Sequence, residues 1–310
     1  MVGLWFLAFR GPIRAHKLHL QVERGPDVLH RDPVKGHNVT GPTPRVLCWF
    51  SCGDASAVAV ALALKKYGNT HECIIVRIAI TSEHSDNERF AADCSRWFGR
   101  PIIDLYSHRY KDTWDVWASR RYIAGIAGAP CTTYLKKEVR YGFQQPTDIQ
   151  VFGYTAEEKK RADQFQATNF ELRAEFPLIE AGLRKPDCHA LVRAAGIELP
   201  AMYLLGFDNN NCIGCPKGGA GYWNMIRKHF PAQFERMAKL SREIGARLVR
   251  QDGERIYLDE LRPGTGRQKD EPVIECSAFC EDAATELNII DPPSALHTDP
   301  CPRESETEAA

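Results

Sequence analysis

The chain has 310 residues, of which 44% are hydrophobic and 26% are charged, as in an ordinary soluble globular protein. Its 40 basic and 40 acidic side chains cancel, which excludes a global field that would attract nucleic acid or an anionic membrane surface. The length exceeds that of a typical single domain and permits one large α/β domain with appendages.

The expected compartment follows from the start of the chain and from its cysteines. Residues 1–9 are apolar, but Arg10 and Pro12 interrupt the run, so it lacks the layout of a signal peptide and the length to span a bilayer. We therefore expect a cytoplasmic protein with no membrane partner. In such a reducing compartment, 11 cysteines indicate metal ligation, redox chemistry or burial before disulfides.

The two ends of the chain differ in composition from its middle. Residues 1–44 show no sustained periodicity and are rich in proline and glycine, which predicts a poorly ordered leader. Residues 281–310 are acidic and contain several prolines, which predicts a disordered tail. Between them we expect a nucleotide-binding α/β domain over 45–205 and a cysteine-containing helical extension of that domain over 206–280.

The middle of the chain alternates strand and helix patterns. Short apolar runs predict four strands, at Arg45–Phe50, Glu72–Thr81, Pro101–Tyr106 and Asp148–Tyr154. One helix is predicted at Ser56–Tyr67, and a second opens with a capping box between Ser85 and Glu88 and ends at Gly99. This alternation predicts an α/β fold with a Rossmann-like parallel sheet, helices on both faces and a helical C-terminal part beyond Asp208.

The segment Ser51–Ser56 (SCGDAS) lies between the first predicted strand and the helix that follows it. Ligands of an open parallel sheet bind beyond the carboxyl ends of the strands, and the first amides of a helix attract anions. Gly53 lets the backbone approach an anion, while Ser51 and Ser56 offer hydroxyl groups. The pattern indicates a phosphate loop, although a tight turn capped by serine has the same spacing.

This segment resembles the signature of the adenine-nucleotide α-hydrolase superfamily, usually SGGxDS, in the looser SxGxxS form of phosphoadenosine phosphosulfate (PAPS) reductases. Both serines and Gly53 match, whereas Cys52 stands in place of a glycine and Ala55 in place of the usual aspartate. The missing aspartate favours the reductase-like branch over an ATP pyrophosphatase. Asp54 departs from the pattern, because a carboxylate there repels phosphate unless it faces away or meets a metal.

The resemblance covers roughly residues 45–280, and within the family the chain is similar to a phage and bacterial reductase-like subgroup. It includes the segments Gly128–Arg140, Gly153–Arg161, Pro177–Cys188, Gly196–Pro200 and Asn209–Trp223. In the family, a basic and hydroxyl-rich turn after a later strand contacts the nucleotide. The resemblance thereby assigns Thr155 and Arg161 to nucleotide binding, while Lys159 fits an exposed helix face better.

Cys212 and Cys215 form a C-x-x-C pair in a glycine-rich loop. This spacing serves zinc, iron–sulfur clusters and redox dithiols alike. The arrangement of Cys131 and the C-x-x-C pair resembles that of assimilatory adenylylsulfate (APS) reductases. In those enzymes a Cys-Cys pair lies upstream of a C-x-x-C pair, and the four cysteines bind a [4Fe–4S] cluster. Here Cys131 stands alone in that place, and Cys188 is the candidate fourth ligand, although it fits a buried helix face equally well. The resemblance implies a [4Fe–4S] cluster on these four cysteines, with zinc as the alternative.

Three basic residues, Lys136, Lys137 and Arg140, follow Cys131 on a predicted helix. Near a sulfate-bearing nucleotide their charge would stabilise anions. The alternative is a solvent-exposed basic face, and we expect that for at least one of the two lysines.

The sequence Glu275-Cys276 lies in the segment ECSAFC. It resembles the ECGLH-like tail of sulfonucleotide reductases, whose thiolate attacks the sulfate sulfur. The resemblance implies Cys276 as the catalytic nucleophile, with Cys280 as a resolving thiol or a thiol reductant protein as partner.

Three functions fit these patterns. The first is a PAPS reductase-like enzyme that binds PAPS, APS or ATP at Ser51–Ser56 and performs thiol chemistry near a cysteine-bound metal centre. The second is an ATP-dependent sulfurtransferase that thiolates a nucleic-acid base. The third is a non-catalytic metal-binding interaction module. Zero net charge and the lack of interleaved aromatic and basic residues argue against a nucleic-acid partner.

Overall fold

The structure, a computed structural model, describes residues 44–125, 128–271 and 274. Its central feature is a five-stranded sheet in the order β3-β2-β1-β4-β5, in which every pair of neighbouring strands is parallel. The strands are β1 (Val46–Trp49), β2 (Cys73–Ile78), β3 (Ile102–Leu105), β4 (Ile149–Val151) and β5 (Arg173–Glu175). The predicted α/β, Rossmann-like parallel sheet is confirmed.

The first four strands lie within the predicted apolar runs, but the expectation of only four strands was wrong. The fifth strand, Arg173–Glu175, has the sequence Arg-Ala-Glu and carries no apolar run. It forms because its backbone pairs with β4, with Ile149 opposite Arg173. An edge strand needs only one paired neighbour and no fully buried face, so its side chains are free to be polar.

Ten α-helices are described. Four belong to the first half of the chain: α1 (Asp54–Tyr67), α2 (Asn87–Phe98), α3 (Thr113–Arg120) and α4 (Glu138–Phe143). Six follow β4: α5 (Lys159–Thr168), α6 (Pro177–Glu180), α7 (Lys185–Ala194), α8 (Ala201–Leu204), α9 (Ala220–His229) and α10 (Pro231–Ile244). None of the described helices combines the length and apolar character that crossing a membrane requires.

Strand β1 divides the core, because successive side chains of a strand point to opposite faces of the sheet. Val46 and Cys48 pack with side chains of α1, α2 and α7. Leu47 and Trp49 pack on the other face, with Phe152 and residues of α5. All four β1 side chains are buried, and fully burying one such apolar side chain contributes about 1.5–3 kcal/mol. Helices therefore cover both faces, as predicted.

A third apolar cluster lies outside the sheet and joins α3 to the C-terminal helices. Trp117 and Trp223 are fully buried in it, together with Met237 of α10 and Leu258. The expectation of purely helical structure beyond Asp208 was incomplete. A hairpin of β6 (Val249–Gln251) and β7 (Glu254–Ile256) follows α10, and its turn residues Asp252 and Gly253 both have positive φ. Asp-Gly is the dipeptide that favours such turns.

Two local predictions were wrong. The capping box of Ser85 and Glu88 does not form: α2 begins at Asn87, and its N-cap Asp86 makes no capping hydrogen bond with its side chain. Asp86 instead accepts hydrogen bonds from Arg89 and from the backbone N–H of Ala201. An ion pair and a distant backbone donor have thus replaced the local cap.

The exposed basic face expected after Cys131 is also wrong. Residues Thr132–Lys137 form a π-helical segment that continues directly into α4. Lys136, Lys137 and Arg140 are all buried, with Arg140 fully enclosed and its guanidinium 4.4 Å from the centre of the Tyr141 ring. The wider turn of a π-helix rotates side chains relative to an α-helix, so spacing rules based on 3.6 residues per turn misplace them.

Candidate functional site

A cleft opens beyond the carboxyl ends of β1 and β4. From β1 the sheet continues towards β2 on one side, while β4 and β5 lie on the other, so the cleft lies where the strand order reverses. In open α/β sheets this position is the usual ligand site. Most of the lining comes from residues 49–56, residues 152–161, Lys185 with Tyr203, residues 209–211, and Ile274, and it is completed by Ile78, Glu83 and Lys136.

The segment Ser51–Ser56 forms the floor of this cleft. Ser56 Oγ accepts a hydrogen bond from the Ser51 N–H at 3.1 Å and donates one to the Gly53 carbonyl at 2.9 Å, which closes the loop. The Ser51 hydroxyl lies 3.2 Å from Ser56 Oγ. Gly53 is the N-cap of α1 and has no side chain to cap the helix. Within the described ranges, the first amides of this 14-residue helix have no side-chain acceptor, as an anion site requires.

Two glycines allow the loop and the sheet to approach each other. A Cβ atom at Gly153, just after β4, would lie 2.7 Å from Ser56 Cα and 2.8 Å from Ser56 N. Both are backbone atoms at the start of α1 and cannot rotate away. A Cβ atom at Gly53 would lie 3.3 Å from the Tyr203 hydroxyl. Gly153 thus sets the packing distance between α1 and the end of β4.

Cys52 is placed differently from the other loop residues. It is fully buried, does not line the cleft and has a φ of 55°, a left-handed conformation that favours glycine. Its Sγ lies 3.6 Å from Arg77 Nη1 and 3.8 Å from the Asn87 carbonyl, and burial raises the pKa of the thiol to about 12. Its side chain therefore faces the core and not the cleft. Ala55 does line the cleft.

Asn210 ties the loop to the C-terminal part of the chain. Its Nδ2 donates hydrogen bonds to the Cys52 carbonyl and to Asn87 Oδ1, both at 2.7 Å. Asn210 is buried and precedes the C-x-x-C pair by two residues. Asn210 lies in the segment Asn209–Trp223, but the sequence analysis assigned it no role. The one feature of the sequence that marked it is the run of three asparagines that precedes Cys212.

Arg161 and Thr155, the two later candidates, have different environments. Arg161 lines the cleft, with its guanidinium 4.8 Å from the centre of the Tyr154 ring and 2.8 Å from Glu158. Thr155 is buried and does not line the cleft; its N–H and its hydroxyl both donate to Glu158 Oε2. Thr155 therefore caps the helix start. Lys159 is exposed and paired with Asp163, as expected.

A charged cluster that sequence reasoning missed lies beside the loop. Asp54 is fully buried in the first turn of α1, and its Oδ1 lies 2.8 Å from Lys185 Nζ. Its Oδ2 lies 3.2 Å from His189 Nε2, one helical turn further along α7. Lys185 Nζ also donates to the Tyr203 hydroxyl at 2.9 Å. Asp54 thus meets a lysine, and the negative charge expected to repel phosphate is compensated.

The charge states of this cluster follow from burial and neighbours. Burial lowers the pKa of His189, although Asp54 opposes the change. Burial also raises the pKa of Tyr203 above its usual range. For Lys185, burial alone would lower the pKa, but Tyr203 and Asp54 raise it above the ordinary value. At neutral pH, His189 is neutral, Tyr203 keeps its proton and Lys185 is charged.

Three of the four predicted metal ligands share one environment. Cys131, Cys212 and Cys215 are buried in the cluster that joins α3 to the C-terminal helices. Cys188 lies apart from them, in the core between α1 and α7, and burial raises its pKa to about 12. Among the residues that the structure describes, no three His, Cys, Asp or Glu side chains are grouped to hold a metal ion. The described arrangement gives a metal no set of three ligands, and the metal centre stays a prediction.

The C-x-x-C loop itself is held by Tyr222. The backbone N–H groups of Gly214 and Cys215 donate to the Tyr222 hydroxyl at 3.1 and 2.8 Å, and that hydroxyl donates to the Cys212 carbonyl at 3.2 Å. Two amides of the C-x-x-C loop are therefore engaged by a phenol. Cys276 and Cys280 lie outside the described residues. Ile274, two residues before Cys276, lines the cleft, and its carbonyl accepts a hydrogen bond from Asn211.

The chain matches no protein-family model and no curated protein. What the cleft can bind follows from its own geometry.

Proposed function

We propose that this protein is a PAPS reductase-like enzyme that binds an adenine nucleotide in the cleft above Ser51–Ser56. One observation carries the proposal: an uncapped helix N-terminus opens into a cleft at the reversal point of a parallel sheet. Such a helix end supplies amide donors and a partial positive charge, the requirements of a phosphate site. Arg161, Lys136 and Lys185 add cations to the walls of the cleft.

The remaining walls suit the rest of a nucleotide. Trp49, Phe152, Tyr154 and Tyr203 line the cleft and provide apolar and aromatic surface for an adenine ring. Asn209 and Asn211 add amide groups for hydrogen bonds to polar edges. A phosphate floor with aromatic walls favours a nucleotide over an inorganic anion.

The loop sequence supports a phosphosulfate over ATP. Ala55 lines the cleft where the pyrophosphatase pattern has aspartate, so the carboxylate characteristic of ATP-cleaving relatives is missing. Asp54 is the only carboxylate in Ser51–Ser56, and it is paired with Lys185. We therefore infer that the loop serves as an anion cradle.

The proposed reaction uses two thiols. The Cys276 thiolate attacks the sulfur of the phosphosulfate, an S–S bond forms, and the S–O bond to the nucleotide breaks with its electron pair leaving on the phosphate. A second thiolate, from Cys280 or a thiol reductant protein, then attacks Sγ of Cys276. A disulfide forms and sulfite leaves with the electron pair of the S–S bond.

The test is binding followed by turnover. Full-length protein, purified anaerobically, is titrated with APS, PAPS and ATP, and sulfite release is then measured with a dithiol. We expect phosphosulfate binding and thiol-dependent sulfite release, with Cys276→Ser abolishing release but not binding. Cys301→Ser, in the predicted tail, is the matched control and should leave both unchanged. The proposal fails if no nucleotide binds or if bound phosphosulfate yields no sulfite.

Two other outcomes identify the alternatives. Pyrophosphate release from ATP that depends on added nucleic acid indicates a sulfurtransferase. Bound zinc without nucleotide binding indicates an interaction module. The metal content and visible spectrum of the same sample test the cofactor prediction, because a [4Fe–4S] cluster gives iron and a broad brown absorbance. Folded protein that contains neither iron nor zinc would disprove a metal centre on Cys131, Cys212 and Cys215.

A further inference from the structure

Three elements that are distant in the chain meet beside the phosphate loop. They are the first turn of α1 with Asp54, the first turn of α7 with Lys185, and the short helix α8 with Tyr203. Lys185 and Tyr203 both line the cleft, and the Tyr203 hydroxyl lies 3.3 Å from the position of a Cβ atom at Gly53. We propose that Lys185 is a further anion-binding residue of this cleft and that Asp54 and Tyr203 are its positioning residues. The inference rests on the proposed nucleotide site.

The contacts of Lys185 Nζ hold its ammonium group in place. Nζ forms an ion pair with Asp54 Oδ1 at 2.8 Å and donates a hydrogen bond to the Tyr203 hydroxyl at 2.9 Å. An ammonium group has three N–H donors, so these two contacts do not use all of its donor capacity. Because Lys185 lines the cleft with 31% of its side chain exposed, a remaining N–H can donate to a bound group.

Anchoring changes what a lysine contributes to binding. A free lysine side chain loses up to about 2 kcal/mol of rotamer entropy when a ligand immobilises it. Here that loss occurs on folding, because two partners already hold Nζ. Asp54, with no exposed surface, also compensates the charge of a lysine that is itself largely enclosed. Lys185 therefore acts as a preorganised hydrogen-bond donor at short range. It contributes little to the long-range electrostatic attraction of an anionic ligand.

The geometry also defines the group that is bound. An ammonium group held at a fixed position suits a single oxygen of a phosphate or sulfate group, whereas a planar bidentate contact requires a guanidinium. Tyr203 stands above Gly53, so this donor and the first amides of α1 converge on the same region. We assign Lys185 to the anionic group attached at the 5′ position of the nucleotide. ATP, APS and PAPS all carry such a group.

The first test removes the ammonium group. Lys185→Met in the full chain is compared with the wild-type protein by calorimetric titration with ATP, APS and PAPS. A hydrogen bond to a charged group supports an expected loss of about 10- to 100-fold in affinity for each nucleotide that the wild type binds. Lys159→Met is the matched control, since Lys159 is also paired with a carboxylate but is exposed. Its affinity should match the wild type.

The second test separates positioning from a structural role. Tyr203→Phe removes only the hydroxyl and should weaken binding by about 2- to 10-fold. In a Lys185→Met background the same change should have no further effect, because Tyr203 acts through Lys185. Additive losses would overturn the positioning role. Should Lys185→Met not fold, Lys185→Gln replaces it in both tests.

The outcomes distinguish this inference from the proposed function. If the wild-type protein binds none of the three nucleotides, both fail. If it binds and Lys185→Met binds equally well, the proposed function stands and Lys185 is not an anion-binding residue.

Discussion

The proposed phosphate loop, Ser51–Ser56, and the C-x-x-C loop are both tight, glycine-containing segments, but their backbone amides differ in whether a side chain accepts hydrogen bonds from them. Ser51–Ser56 leads into a helix whose N-cap is Gly53, and among the described residues no side chain accepts from its first N–H groups. In the C-x-x-C loop, the amides of Gly214 and Cys215 donate to the buried Tyr222 hydroxyl. A site that is to bind an anion must leave its donors available, whereas a structural loop satisfies them internally.

The two loops also differ in how they are anchored. The phosphate loop is held from outside, by Asn210 on the Cys52 carbonyl and by the close approach of Gly153. The C-x-x-C loop is held from within its own segment, by a tyrosine seven residues after Cys215. Substitutions near the two loops should therefore have different effects. Those that disturb Ser51–Ser56 should weaken nucleotide binding, and those that disturb the C-x-x-C loop should lower stability without changing binding.

The largest effect is expected from Gly153→Val. Its Cβ would lie 2.7 Å from Ser56 Cα, so α1 must move, and the free energy of unfolding should fall by about 3 kcal/mol with nucleotide binding lost. Urea denaturation and calorimetry measure the two quantities. Gly142→Ala is the matched control, because nothing lies within 4 Å of its Cβ position, and it should leave both unchanged or slightly improve stability. Retained binding in Gly153→Val would contradict the assignment of the cleft.

Tyr222→Phe should affect stability and leave binding unchanged. Removing the hydroxyl leaves two buried N–H groups without an acceptor, so the free energy of unfolding should fall by about 2–3 kcal/mol. Nucleotide affinity, measured well below the unfolding transition, should remain that of the wild type. Tyr141→Phe, at an exposed tyrosine, serves as control and should change stability by less than about 0.5 kcal/mol. Equal stability of the two variants would show that Tyr222 does not hold the C-x-x-C loop.

Asn210→Ala should produce a smaller effect on both quantities. It removes the donor to the Cys52 carbonyl and to Asn87, which should lower the free energy of unfolding by about 1–2 kcal/mol. Because the phosphate loop loses its external anchor, nucleotide affinity should weaken as well. Thermal melting and titration of one sample measure both. A stability loss with wild-type affinity would mean that the loop keeps its shape without Asn210.

The smallest effect concerns pH. Burial lowers the pKa of His189, so the unfolded chain binds a proton more readily than the folded chain. Stability should therefore fall as pH decreases below about 6.5, the ordinary value for histidine, towards the lowered pKa of the folded state. His189→Gln should reduce this dependence in urea denaturation between about pH 5 and 8. The control His108→Gln, at an exposed histidine, should keep the pH dependence of the wild type. If the wild type and both variants show the same dependence of stability on pH, His189 is not its cause.

Several features were predictable because their signals are local. Apolar runs such as those containing Val46–Trp49 and Cys73–Ile78 mark buried parallel strands, and a small-residue segment marks the turn from β1 into α1. The burial of Lys136 and Lys137 was not predictable, since a π-helical segment alters the face on which each residue lies. Cys188 matched a buried helix stripe and a ligand pattern equally well, and the structure places it in the core beside α1.

The sequence by itself determined the parallel sheet and the strand-to-helix turn at Ser51–Ser56, because each depends on neighbouring residues and on strand or helix periodicity. Only the tertiary structure decided that Asp54 meets Lys185 and that Tyr203 stands over Gly53. Those contacts join α1, α7 and α8 across the fold, and no local pattern records which side chains a sheet and its helices bring together.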